Sequence, residues 1–151
     1  MKNLFTFWVG PWLCGVETPK NLMVMYSRRA EVKIEGAVPA VNGIVYFPGP
    51  DNPVTIVDLR VLFDSPAKRT DGAALVLTGP DGKAYGLVFD ILDTEFNFEH
   101  PKESEDAVYS LSSTLWPYVE TVVWGQVGGV RQEVLRLDLA KILSPETLMV
   151  N

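Results

Sequence analysis

The sequence predicts a mostly β protein. Short apolar runs rich in valine, isoleucine and aromatic residues are separated by glycine, proline and aspartate. Turns spaced every ~8–12 residues in this way are typical of barrels and sandwiches. The segment "PDGK" (80–83) joins two such runs and predicts a hairpin, because Asp-Gly tolerates the positive φ values of a tight turn. No apolar run reaches the ~18 residues of a membrane-spanning helix, so membrane insertion is not expected.

The predicted strands follow one another along the whole chain. They are "LFTFWV" (4–9), "GIVYF" (43–47), "VTIV" (54–57), "AALVLT" (73–78), "AYGLVFDIL" (84–92), "YVETVVW" (118–124) and "VRQEVLRL" (130–137). The opening "MKNLFTFWVGPWLCG" is interpreted as strand, turn and strand. A signal peptide fits it poorly, because Trp8 and Trp12 interrupt it and no small-residue cleavage site follows. The polar, acidic and serine-rich stretch 99–113 is predicted to be a loop that crosses between two lobes.

Two segments repeat one local plan, and each predicts a short helical turn. "VDLRVLFDSP" (57–66) and "LDLAKILSP" (137–145) each run from the end of a strand through Asp-Leu to Ser-Pro. Asp58 and Asp138 precede the turns, where a carboxylate can accept a hydrogen bond from the first free N–H groups. Such a cap stabilises a helix by about 1 kcal/mol relative to alanine. Both aspartates are therefore predicted to be structural caps.

Composition limits the classes of partner. The chain has 151 residues, which suits one domain or two small lobes with a common core. Its net charge of -6 argues against a nucleic-acid partner, because binding phosphates requires a positive field. The single cysteine, Cys14, permits no internal disulfide, which favours a cytoplasmic location.

No convincing catalytic, cofactor-binding or metal site is visible in the sequence. His100 is the only histidine and lies in a polar segment, so an exposed side chain without a catalytic role is expected. Cys14 lies in a predicted buried strand, where a thiol usually behaves as a small apolar group. One histidine and one cysteine cannot supply a four-ligand zinc site. Asp93 and Glu95 alternate with phenylalanines, which is typical of the solvated face of a half-buried strand.

Aromatic residues are numerous, and two interpretations of them remain open. Most are expected in the core, but tyrosine and tryptophan are also favoured in protein interfaces. Alternatively, Trp12, Tyr26 and Tyr46 could line a cleft between lobes that binds a small ligand.

Several segments together resemble the CheW-like domain, the chemotaxis coupling-protein family. The stretch "GIVYFPG…VTIVDLRVLF" fits the family pattern at Gly43, Gly49, Asp58, Leu59, Arg60, Leu62 and Phe63. "YGLVFDIL" (85–92) looks like the Gly-Leu-x-Val-Asp segment of the family, with Gly86, Leu87 and Asp90 in place. The opening segment fits the first strand pair of the family, joined at Gly10, and "VLRLDLAKIL" fits its end.

The resemblance implies two SH3-like β-barrel lobes packed around a shared core within a single domain, 1–151. The first lobe would centre on about 15–65 and the second on about 73–137. It also implies a non-enzymatic adaptor without a cofactor. Members of this family bind a CheA-type histidine kinase and the cytoplasmic domain of chemoreceptors.

The chain departs from the family pattern where a receptor would bind. The Asn-Leu-Arg-Gly of the family is here Tyr46-Phe47-Pro48-Gly49, so a proline replaces the arginine. By resemblance, the receptor-facing surface would include Met23, Met25, Tyr46 and Pro48, with Asn21 and Met23 replacing a Val-x-Glu pair. A different receptor, or an altogether different partner for the same scaffold, is therefore an alternative to ordinary coupling.

Overall fold

The computed structural model describes residues 4–17, 23–27, 41–46, 53–65, 72–79, 81–96 and 99–148. Most of these residues lie in strands, as the sequence predicts. The strands are β1 (Leu4–Val9), β2 (Trp12–Glu17), β3 (Met23–Ser27), β4 (Val41–Tyr46), β5 (Pro53–Asp58), β6 (Gly72–Thr78), β7 (Ala84–Phe89), β8 (Ile91–Phe96), β9 (Glu99–Ser104), β10 (Val119–Val127) and β11 (Val130–Leu137).

The helices are short and lie between or after strands. They are α1 (Leu59–Leu62), α2 (Leu139–Ile142), α3 (Pro145–Leu148) and two 3₁₀ helices, Asp106–Ser110 and Trp116–Tyr118. Over the residues that the structure describes, no helix has the length and apolar character needed to cross a membrane.

The predicted loop over 99–113 is wrong in its first half. Residues Glu99–Ser104 form β9, which pairs antiparallel with β10, and Asp106–Ser110 form a 3₁₀ helix. The polar composition reflects an edge strand, because β9 ends its sheet and has a neighbour on one side only.

The strands form two sheets that do not follow the expected lobe ranges. One sheet has the order β3-β6-β7-β5-β4, and the other has the order β8-β1-β2-β11-β10-β9. β6 and β7 thus join the strands of the first half of the chain, although the range 73–137 was expected to hold the second lobe. β7 belongs to the five-stranded sheet because it pairs parallel with β5. In the six-stranded sheet, β2 pairs parallel with β11, so strands from early and late in the sequence lie side by side.

Two glycine turns are confirmed where the sequence places them. Gly10 has a φ of 56° and joins β1 to β2, and Gly82 has a φ of 80° in the β6–β7 hairpin. An L side chain rarely adopts such φ values, so glycine is the residue that suits both turns.

The predicted run 84–92 is interrupted at Asp90, which separates β7 from β8. Asp90 N–H donates to the carbonyl of Trp8 at 2.9 Å rather than to a continuing strand pair. A single long strand was expected because Asp90 is flanked on both sides by apolar residues.

A shared core lies between the sheets. One cluster of buried side chains includes Phe7 and Val16 from the six-stranded sheet and Leu75 and Phe89 from the five-stranded sheet. The rings of Phe7 and Phe89 stack with their centroids 4.6 Å apart. The expectation of a single core common to both halves of the chain is thus met.

Candidate partner-binding surface

The residues predicted to face a receptor lie on the two end strands of one sheet. Met23 and Met25 lie in β3, and Tyr46 is the last residue of β4. These strands stand at opposite ends of the order β3-β6-β7-β5-β4, so strand pairing does not bring the methionines and Tyr46 together. Pro48 and Asn21 fall outside the described residues.

The residues predicted to line a small-ligand cleft lie in different sheets. Trp12 is in β2 of the six-stranded sheet, where its side chain is half-buried and packs against the shared core. Tyr26 and Tyr46 are in β3 and β4 of the five-stranded sheet.

Asp58 and Asp138 both lie at the N-terminus of a short helix. The Asp58 carboxylate accepts a hydrogen bond from Arg60 N–H at 3.0 Å at the start of α1. The Asp138 carboxylate accepts one from Lys141 N–H at 3.1 Å at the start of α2. The two caps use the same chemistry, but Asp58 is buried whereas Asp138 is half-buried.

Asp58 has a second role, because it also holds a buried arginine. Arg60 Nε and Nη2 donate to the two carboxylate oxygens of Asp58, each at 2.9 Å. This two-point contact matches the planar guanidinium to the planar carboxylate. Arg60 Nη1 lies 3.5 Å from Asp90 Oδ1, which forms a longer ion pair.

The second oxygen of Asp90 connects this group to the other sheet. Asp90 Oδ2 accepts a hydrogen bond from Gly10 N–H at 2.6 Å. Gly10 lies in the β1–β2 turn, whereas Asp58 ends β5 in the five-stranded sheet. We call Gly10, Asp58, Arg60 and Asp90 the inter-sheet joint.

Electrostatics favour a charged arginine in the joint. Burial lowers the pKa of Arg60, but hydrogen bonding and charge attraction from Asp58 and Asp90 outweigh it, so that the pKa is raised overall. The side chains of all three charged residues are less than a tenth exposed. A buried charge of this kind is tolerated only when it is paired and hydrogen-bonded.

Cys14 lies in the core. Its side chain is fully buried in β2. Burial raises the pKa of the Cys14 thiol far above its usual range, so the reactive thiolate is disfavoured. The prediction of a buried cysteine is confirmed, while the side chain of His100 lies outside the described part of β9.

A second charged cluster lies on the surface of the six-stranded sheet. Arg136 in β11 donates to Glu103 of β9 and Glu120 of β10, each at 3.1 Å, and lies 3.6 Å from Glu17 of β2. One guanidinium therefore spans strands β2, β11, β10 and β9. The three carboxylates outnumber it, so this region keeps a net negative charge.

A groove lies beside this cluster, between the two 3₁₀ helices and the start of β10. Its volume is about 280 Å³. We call it the acidic groove. Its lining residues are Glu105, Asp106, Val108, Tyr109, Trp116, Pro117, Val119 and Glu120.

The two aromatic residues of the acidic groove are exposed. Tyr109 is 74% exposed and Trp116 is 42% exposed, with their ring centroids 5.9 Å apart. Exposed aromatic side chains beside one another are typical of interaction sites. The sequence prediction missed the groove because it treated 99–113 as a crossing loop. The available signal was a tyrosine and a tryptophan close to two acidic residues in an otherwise polar stretch.

Comparison with known proteins identifies a fold. No protein family matches the sequence, and no curated protein matches it either. The structure resembles the crystal structure of the scaffolding protein TtCheW from Thermoanaerobacter tengcongensis, with a TM-score of 0.69. The likeness covers 99% of each chain at 14% sequence identity. The predicted CheW-like fold is therefore confirmed.

The joint and the second cap allow a matched test. We expect Asp58→Ala to destabilise the protein by about 3–5 kcal/mol, because it removes the two-point carboxylate contact of the buried Arg60 guanidinium. Asp138→Ala removes only a cap and should cost about 1 kcal/mol. Urea unfolding of both variants measures the difference. Equal losses near 1 kcal/mol would show that Asp58 acts as a cap alone.

Proposed function

We propose that this protein is a non-enzymatic, cytoplasmic adaptor of the CheW type, which couples a CheA-type histidine kinase to the cytoplasmic domain of chemoreceptors. The observation that carries the proposal is the fold, which resembles a scaffolding protein over 99% of both chains. The net charge of -6 supports a protein partner rather than a nucleic acid.

The use of the buried polar residues supports a scaffolding role. Asp58, Arg60 and Asp90 pair with one another inside the fold, and Cys14 is fully buried. These four side chains therefore contribute to the architecture of the protein. A scaffolding protein acts through the surfaces that it presents to its partners.

The departures from the family pattern fall on the edge of the five-stranded sheet and on the residues that follow β4 in the sequence. Tyr46 ends β4, which is the last strand in its sheet, and Pro48 follows two residues later. A proline supplies neither a charge nor an N–H donor. We infer that the receptor recognised by this adaptor lacks a group that requires arginine at this position.

A binding experiment tests the coupling role. The purified protein, a CheA-type kinase and a receptor cytoplasmic domain from the same organism are mixed in pairs and together. We expect the protein to bind each partner and the three to co-sediment as one complex. Binding is measured by biolayer interferometry and complex formation by sedimentation.

The cap at Asp138 supplies a control for that experiment. Asp138→Ala changes a cap far from the proposed receptor edge in sequence, so it should bind as the wild-type protein does once its folding is verified. If the wild-type protein binds neither partner, the coupling role is wrong even though the fold stands.

The segment after β4 can be tested by restoring the arginine of the family. We expect Pro48→Arg to strengthen binding to a receptor tip of ordinary family sequence, because it returns the missing charge. Pro50→Arg adds the same charge two residues later in the sequence and serves as the matched control. Equal affinities for both variants and the wild-type protein would place Pro48 away from the receptor surface.

A further inference from the structure

We propose that the acidic groove binds an arginine side chain presented by a segment of a partner protein. This inference rests on the groove alone and does not depend on the kinase or the receptor. It goes beyond the proposed coupling role, because it defines the chemistry of a partner at a surface that the resemblance does not indicate.

The aromatic pair provides the flat surfaces that a guanidinium prefers. Tyr109 projects from the first 3₁₀ helix, Asp106–Ser110, and Trp116 begins the second. Their rings are inclined by 47° with centroids 5.9 Å apart, so both are held beside the same opening. A cation over an aromatic face gains about 0.5–1 kcal/mol at an exposed site, and more once water is excluded.

The carboxylates provide the charge that selects a cation. Glu105, Asp106 and Glu120 line the groove, and none of its lining residues is basic. Among the described residues, neither Glu105 nor Asp106 has an ion-pair partner, since the salt bridges there involve other acids. Glu120 accepts a hydrogen bond from Arg136 at 3.1 Å.

The basic residues described beside the groove have other contacts. Arg136 pairs with Glu17 and Glu103 as well as with Glu120, so its positive charge is shared among three carboxylates. The nearby Lys102 of β9 lies over the ring of Trp124, 5.1 Å from its centroid. A cationic group that enters the groove therefore meets an excess of negative charge.

The groove has room for a single side chain, since its volume is about 280 Å³. Arginine fits better than lysine because its planar guanidinium stacks on aromatic rings and can contact a carboxylate at two points.

The test uses a small probe and the intact protein. N-acetyl-arginine methylamide is titrated into the labelled protein, and the indole N–H signal of Trp116 is followed by NMR. We expect a saturable shift with a Kd on the order of 1 mM, as suits a single side chain. The citrulline analogue has the same shape without the charge and should cause no saturable shift. The lysine analogue should bind more weakly than arginine.

Matched variants locate the charge that the probe recognises. The double variant Glu105→Gln, Asp106→Asn keeps the size of both side chains and should weaken arginine binding at least about tenfold, which is ~1.4 kcal/mol. Glu146→Gln removes an equally exposed carboxylate from α3, outside the groove, and should leave the titration unchanged. Tyr109→Ala keeps the Trp116 reporter but removes one of the two rings, so it should weaken arginine binding. Circular dichroism verifies that each variant is folded.

Four results would overturn the proposal. Three of them are the absence of a saturable shift at Trp116, equal shifts with arginine and citrulline, and unchanged binding in the double variant. A fourth is a Trp116 signal that depends on protein concentration, since a second copy of the chain would then occupy the groove. Failure of the kinase and receptor experiment has no bearing on these outcomes, so the two proposals can be rejected separately.

Discussion

The contact between Arg60 and its two aspartates is the constraint on which the arrangement of the sheets depends. Arg60 is buried, and a buried guanidinium destabilises the fold unless carboxylates surround it. Asp58, at the end of β5, accepts two hydrogen bonds from the guanidinium, and Asp90, at the junction of β7 and β8, forms an ion pair with it. Because Asp90 also accepts the N–H of Gly10, the same charge fixes the position of the β1–β2 turn against the five-stranded sheet. The apolar core between the sheets supplies most of the stabilisation, while the joint specifies how the sheets fit together.

Local features of the structure could be predicted from the sequence, and non-local ones could not. The glycine turns, the capped helical turns and most strands follow from residues that lie next to one another in the chain. The second role of Asp58 could not be predicted in this way, because its contribution to stability comes from burial beside Asp90 and Gly10, which are distant in sequence. The break at Asp90 was missed for the same reason, since its apolar neighbours predict a continuous strand. The strand β9 was not predicted because its residues are polar, and an edge strand tolerates such a composition.

The likeness to a CheW scaffolding protein is one of fold, at 14% sequence identity. Gly10, Asp58, Arg60 and Asp90 all belong to the segments whose pattern resembles the CheW-like family, and all four form the joint. These four residues hold the two sheets together inside the fold. The acidic groove lies elsewhere, on the two 3₁₀ helices and the start of β10.

Native-state hydrogen exchange tests most directly whether the joint makes one cooperative body of the two sheets. The amide of Gly10 reports on the six-stranded sheet through its bond to Asp90, and the amides of β7 report on the five-stranded sheet. If the joint couples them, both exchange only through global unfolding, with the same opening free energy and the same denaturant dependence. The opposite result is an opening free energy for the Gly10 amide that is lower than that of the β7 amides by more than about 1.4 kcal/mol, a tenfold difference in the opening equilibrium. It would show that the sheets open independently and would contradict this account.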